Sequence, residues 1–212
     1  MKSASRLLWL LFAVNLFNYI DRQILFAVFP AIKADLQLSD TQLGLLASAF
    51  MWVYLSAAPV FGLLADRRSR PRLMGLGVGI WSAATALSGV ARGHGELLLG
   101  RAVVGVGEAS YGAVAPAMLS DAYEPAHRGR ALAMFSMAIP VGSALGYLLG
   151  GVFEREFGWR AAFFIVGIPG LWLAWTVWRQ PDLVRGAADP SAQTVGRTTG
   201  PRLADYLELL KT

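Results

Sequence analysis

Six stretches of about twenty apolar residues, parted by loops of roughly five to eleven, leave this chain few folds to choose from. They fall at residues 6–29, 41–65, 72–91, 97–120, 130–153 and 160–178. At 1.5 Å of rise per residue, each can cross a hydrocarbon core of about 30 Å. Within lipid the backbone must satisfy its own hydrogen bonds, which leaves helices or closed barrels, and unbroken apolar runs without alternation point to helices. Charged residues are 16% and hydrophobic residues 55% of the 212, against about 25% charged in a soluble domain. In water the same runs would expose far too much apolar surface. The expectation is an all-α integral membrane protein, a bundle of six transmembrane helices.

Other classes fall away quickly. With no cysteine, the chain has no disulfide, thiolate metal site or cysteine nucleophile. The formal charge of +5 sits mainly in short loops, where membrane topology accounts for it and no basic reading face forms, so no nucleic-acid partner is expected. The first apolar run exceeds a signal-peptide core and lacks a small-residue cleavage site, so it reads as a retained helix. There is no Gly-x-Ser-x-Gly, His-Glu-x-x-His or Walker loop, so neither an enzyme nor a metal site is expected, and no cofactor beyond a proton gradient.

Lys2, Arg6, Arg67, Arg68, Arg70, Arg72, Arg128, Arg130, Arg179 and Arg185 fall on one side of the bundle, and only Lys33, Arg92, Arg155 and Arg160 on the other. The positive-inside rule then places both termini in the cytoplasm. Residues 179–200, rich in Pro, Gly, Ser and Thr, read as a cytosolic linker. Residues 201–212 open an amphipathic cytosolic helix with Leu203, Tyr206, Leu207 and Leu210 on one face. The stop at Thr212 is expected to reflect a truncated chain.

Ionisable residues inside the membrane carry the functional information. Asp21 and Arg22 lie in the first apolar run and Glu108 near the middle of the fourth, with Arg101 two turns before it. A charge at the helix centre costs at least about 2.5–3.5 kcal/mol, so such groups pair or line a wet cavity. Glu108 and Asp21 are the candidate proton carriers, and Arg22 and Arg101 the candidate anion-binding groups. Phe12, Phe26, Trp52, Tyr54, Phe135 and Tyr147 are candidates for an apolar pocket wall. Gly142, Gly146 and Gly150 form a doubled small-xxx-small stripe suited to close helix packing.

The run Gly62-Leu-Leu-Ala-Asp66-Arg67-Arg68-Ser69-Arg70-Pro71-Arg72 resembles the loop signature of the major facilitator superfamily, departing from it at Ser69 and Pro71. Gly100-Arg101 with Gly105, Gly107 and Glu108, and the loop Glu124-Pro-Ala-His-Arg128-Gly129-Arg130, are similar to further superfamily motifs. The resemblance implies a conformational latch of Gly62, Asp66, Arg67, Arg70 and Arg128, with Arg128 capping or pairing near Asp121 or Glu124. It also implies a twelve-helix fold in two halves, each a 3+3 inverted repeat, of which this chain resembles the amino-terminal half.

More narrowly, Asn18-Tyr19-Ile20-Asp21-Arg22-Gln23, Gly105-Val-Gly-Glu108-Ala-Ser-Tyr111 and Ile139-Pro140-Val-Gly-Ser143 resemble the Spinster family, with Tyr19 and Tyr111 as further candidate substrate-binding residues. That resemblance implies a proton-coupled transporter of lysophospholipids or sphingoid phosphates in the cell's inner membrane. Its partners would be the lipid bilayer, an amphipathic anion, protons, and a carboxy-terminal six-helix half or second subunit. Two alternatives remain open: a proton-coupled symporter of small organic anions, and a non-transporting membrane scaffold.

Overall fold

The computed structural model describes residues 2–186 and 188. The expected amphipathic helix 201–212, and the linker from residue 189 onward, lie outside the described residues. Eight helices occur among them: α1 (Lys2–Ala27), α2 (Phe29–Leu36), α3 (Asp40–Arg67), α4 (Arg70–Ser88), α5 (His94–Ala122), α6 (Pro125–Ser136), α7 (Ala138–Phe157) and α8 (Trp159–Trp178).

Two prolines explain why eight helices arise from six apolar runs. Pro30 and Pro140 have no N–H for the carbonyls of Phe26 and Ser136, and each ring crowds the preceding turn. The chain breaks beside each, at Val28 and at Met137, and a helix resumes with proline in its first turn, where the missing donor costs little. The expected loop at residues 30–40 therefore contains helix α2, which ends at Gln37 in the left-handed region (φ 53°). α3 then starts on a reciprocal cap: Ser39 Oγ accepts from the Gln42 backbone, and the Gln42 side chain accepts from Ser39 N. The loop expected at residues 121–129 likewise becomes the first turn of α6 from Pro125 onward.

Four spans are long and apolar enough to cross a membrane by composition: α3, α5, α6 with α7, and α8. α1 and α4 are long, at 26 and 19 residues, but α1 carries Asn15, Asn18, Asp21, Arg22 and Gln23 and α4 opens on Arg70 and Arg72 and is rich in Gly, Ser and Thr. Much of that polarity faces inward: Asn15, Asn18, Asp21, Ser82, Thr85 and Ser88 are all buried.

The most extensive packing pairs are α1 with α7, α3 with α5, α4 with α8, and α4 with α5. Small residues allow these approaches. A Cβ on Gly142 would lie 2.7 Å from Leu16 O, and one on Gly146 2.7 Å from Ile20 O, so α7 rides directly on the α1 backbone. A Cβ on Gly105 would lie 2.8 Å from Phe50 O of α3. Two apolar clusters fill the bundle, one containing Leu11, Phe50, Val104 and Met118, the other Ile20, Ile24, Leu46 and Leu97.

Candidate functional site

Positions 15, 18, 19 and 22 of α1 share one helix face by their spacing, and all four line a cavity of about 130 Å³. Across it stands Glu108 of α5. Arg22 closes on this carboxylate with Nη2 at 2.5 Å and Nε at 2.6 Å, both on Oε2. The glutamate is 1% exposed and the arginine side chain 21%, so the pair is rooted in the bundle and open on the arginine side. The guanidinium also lies over three rings, 4.7 Å from the Phe50 centroid, 5.2 Å from Tyr19 and 5.4 Å from Tyr54. Such cation–π contacts fix the plane of the arginine fork. The other carboxylate oxygen, Glu108 Oε1, has no hydrogen-bond partner among the described residues, and neither does Asn18 Nδ2.

Asp21 and Arg101 stand behind this pair and do not line the cavity. Asp21 accepts from Thr85 Oγ1 of α4 at 2.7 Å, and the Arg101 guanidinium lies 4.7 Å from the Phe50 centroid. The two interact electrostatically with each other and with the pair in front. Asp21, Arg22, Arg101 and Glu108 thus form a cluster of two positive and two negative charges, which lowers the cost of burying any one of them. Tyr111 reaches the cavity wall, but its hydroxyl donates to Leu11 O at 3.2 Å. Of the aromatics expected on a pocket wall, Tyr54 and Phe135 are there. Phe26, Trp52 and Tyr147 do not line it and are exposed, and Phe12 packs edge-on against Trp9.

The second cluster lies at the arginine-rich end. Arg70, at the start of α4, pairs with Asp121 at the end of α5, and with Asp66 of α3 at 4.0 Å. Arg128 Nε donates to Ser120 O at 2.8 Å and Tyr123 O at 3.0 Å, capping the carbonyls that end α5. Arg67 is exposed, and a side chain at Gly62 would meet nothing within 4 Å. The first linker residues dock here: Arg185 Nη2 donates to Ala65 O at 2.7 Å, and Gly186 N to Asp121 Oδ1 at 2.8 Å.

A third cluster closes the opposite end. Arg160, at the start of α8, places Nη1 2.5 Å from Asp35 Oδ2 of α2 and donates through Nη2 to Ala91 O at 3.2 Å. Trp159 Nε1 donates to the same Asp35 oxygen at 3.2 Å. The Arg160 hydrogen bond first, and the Trp159 hydrogen bond second, hold the Asp35 carboxyl below its ordinary range.

Residue-by-residue reading of the sequence did not single out Asn15, Asn18, Phe50 or Thr85 as site residues, and named Asp121 only as a candidate partner of Arg128. The two amides carried a usable signal, since with Arg22 they form an i, i+3, i+7 polar stripe on an otherwise apolar helix. Asp121 gave less, because which arginine it meets depends on how α4 packs on α5.

The Major Facilitator Superfamily model matches residues 11–209. Protein spinster of Drosophila melanogaster is 39% identical over 179 residues, 84% of this chain and 30% of that protein. Human protein spinster homolog 1 is 39% identical over 182 residues, 83% of this chain and 34% of its own length. The crystal structure of a bacterial homolog to the human lysosomal transporter Spinster, inward-facing and occupied, superposes with a TM-score of 0.83 at 31% identity, covering 90% of this chain and 47% of that one. The human organic anion transporter MFSD10 shares the fold, with a TM-score of 0.69 at 18% identity over 82% of this chain and 47% of its own. The chain spans about a third of the curated relatives' length and about half of the solved chains.

Proposed function

The chain belongs to the Major Facilitator Superfamily, a family of transporters rather than enzymes, and is spinster-like; from that premise we propose that it supplies the amino-terminal half of a proton-coupled carrier of amphipathic, lipid-derived anions. The observation that carries this reading is the Arg22–Glu108 pair, a buried carboxylate holding a partly exposed, aromatic-flanked guanidinium at a cavity wall.

The mechanism follows from competition for one cation. With Glu108 ionised, two arginine nitrogens are committed to Oε2, and an anionic head group meets an arginine already satisfied. A proton on Oε2 removes that attraction and frees the planar fork for a phosphate or carboxylate. Proton and anion then occupy the site together, while Tyr19, Phe50 and Tyr54 keep the fork in place. Arg101 supplies a fixed charge behind it, and Asp21, beside Arg101, is the second candidate proton carrier.

Packing supports a 3+3 inverted repeat within six spans, counting α6 with α7 as one. Exchange of the first three spans with the last three carries the α1–α7 contact onto the α3–α5 contact and the α4–α8 contact onto itself. It also carries Arg70–Asp121 at one end onto Arg160–Asp35 at the other. In this reading the arginine-rich end faces the cytoplasm of a cell whose inner membrane holds the protein, with Gly62, Asp66, Arg67, Arg70 and Arg128 forming the inner latch. A carboxy-terminal six-helix half or a second subunit completes the cavity.

A second reading, symport of small organic anions, draws support from the cavity's modest volume and its amide lining of Asn15 and Asn18. Flux of labelled lysophospholipid and of a short dicarboxylate into proteoliposomes at two pH values separates the two. Proton-dependent lysolipid flux supports the lipid carrier, and flux of the dicarboxylate alone overturns it.

A further inference from the structure

We propose that Asn18 and the free oxygen of Glu108 form a hydroxyl-recognising subsite beside Arg22, so that the substrate carries an alcohol next to its anionic head. The proposal rests on the assignment of this cavity to substrate and narrows the substrate's chemistry.

Two buried polar atoms on residues that line one cavity have no partner among the described residues: Asn18 Nδ2, a donor, and Glu108 Oε1, an acceptor. Their residues are 3% and 1% exposed. Buried polar groups are nearly always paired, so an orphan at a cavity wall indicates that something from outside the chain pairs it. The two orphans are of opposite kind, which restricts what that is. A phosphate or carboxylate oxygen accepts from Asn18 but gives nothing to Glu108. An ammonium donates to Glu108 but accepts nothing from Asn18. A hydroxyl does both, and displaces a water that would otherwise do so less specifically.

The subsite is compatible with either protonation state of the pair. Both arginine contacts fall on Oε2, so a proton that displaces Arg22 goes to Oε2 and leaves Oε1 as a carbonyl acceptor. Two neighbouring groups do not compete for the orphans: Asn15 Nδ2 is committed to Phe135 O at 3.1 Å and the Tyr111 hydroxyl to Leu11 O. An alcohol one or two carbons from the anionic group is thus gripped beside Arg22, and a deoxy analogue leaves both orphans unpaired.

The test measures equilibrium binding to the purified protein in nanodiscs with two matched pairs of probes: 1-oleoyl lysophosphatidic acid against its 2-deoxy analogue, and lactate against propionate. Wild type is expected to prefer the hydroxylated lysolipid by about tenfold or more. Asn18→Leu should erase that preference, so that the hydroxylated and deoxy lysolipids bind alike, and Asn18→Ser, which keeps a donor, should restore part of it. Preference for lactate over propionate, lost in Asn18→Leu, with neither lipid bound, upholds the subsite and overturns the lipid reading. Equal binding within both pairs, a preference that survives Asn18→Leu, or no binding of any probe overturns the subsite.

Discussion

Arg22 places two nitrogens on one oxygen of Glu108, at 2.5 and 2.6 Å, and makes no hydrogen bond to the other. This one-sided grip on a carboxylate 1% exposed makes a single proton position decisive for whether the arginine is free.

Arg22→Ala should abolish binding of an anionic head group. Arg22→Lys should recover little of it, since a compact ammonium neither forks onto two oxygens nor spreads over Phe50, Tyr19 and Tyr54. Titration of lysophosphatidic acid binding checks this. A lysine variant within about twofold of wild type would mean that charge alone, not the stacked fork, does the binding.

At the arginine-rich end, Asp121→Asn should shift the inward/outward balance more than Asp66→Asn, because Arg70 bonds Asp121 directly and meets Asp66 only at 4.0 Å. A charge-assisted bond of this kind contributes about 1.5–3 kcal/mol when partly buried. Accessibility of a cysteine placed at Ser69, compared in the two backgrounds, reports the balance. An equal or larger effect of Asp66→Asn would put the latch back on the residue that sequence reasoning favoured.

How much was legible in the chain divides along physical lines. The placement of the apolar helices followed from apolar run length, which is a local property, but their number did not: eight helices stand among the described residues where six were expected, because the breaks at Val28 and Met137 have local causes in Pro30 and Pro140 that run length alone overlooks. Asp21, Arg22 and Glu108 were conspicuous because intramembrane charge is costly wherever it points. That Asp21 sits behind the cavity against Thr85, and that Asp121 joins Asp66 on Arg70 at closer range, depend on interhelix register. The doubled glycine stripe could be read as close packing, but only the fold identifies its partner as the segment of α1 that bears Arg22.

Gly146→Leu should therefore impair the site from outside it. Even a Cβ there would lie 2.7 Å from Ile20 O and Gln23 Cβ, so α7 must move off α1, at a cost of about 1–3 kcal/mol by analogy with overpacked cores. Gly62→Ala, where a side chain meets nothing within 4 Å, should leave thermal stability nearly unchanged. Equal melting temperatures for wild type and Gly146→Leu would contradict the packing account.

The Asp35 carboxyl is held low by Arg160 and Trp159, so its ionised form stabilises the folded state. That contribution is fully present above the unfolded carboxyl's pKa of about 3.9, and it is lost as pH falls through the lower folded value. Thermal melts of wild type and Asp35→Asn should differ by a constant amount near neutrality and converge below about pH 4. A gap that widens as pH falls would reverse the assigned sign.

Lysophosphatidic acid binding across pH 5–9, in wild type and Glu108→Gln, tests the central claim most directly. If a proton on Glu108 releases Arg22, wild-type affinity rises toward low pH by more than the ligand's own second phosphate ionisation near about pH 6 accounts for, whereas Glu108→Gln, with no carboxylate to hold the arginine, loses that excess. A wild-type slope that persists unchanged in Glu108→Gln would show that the proton is carried elsewhere and that the Arg22–Glu108 pair is only structural.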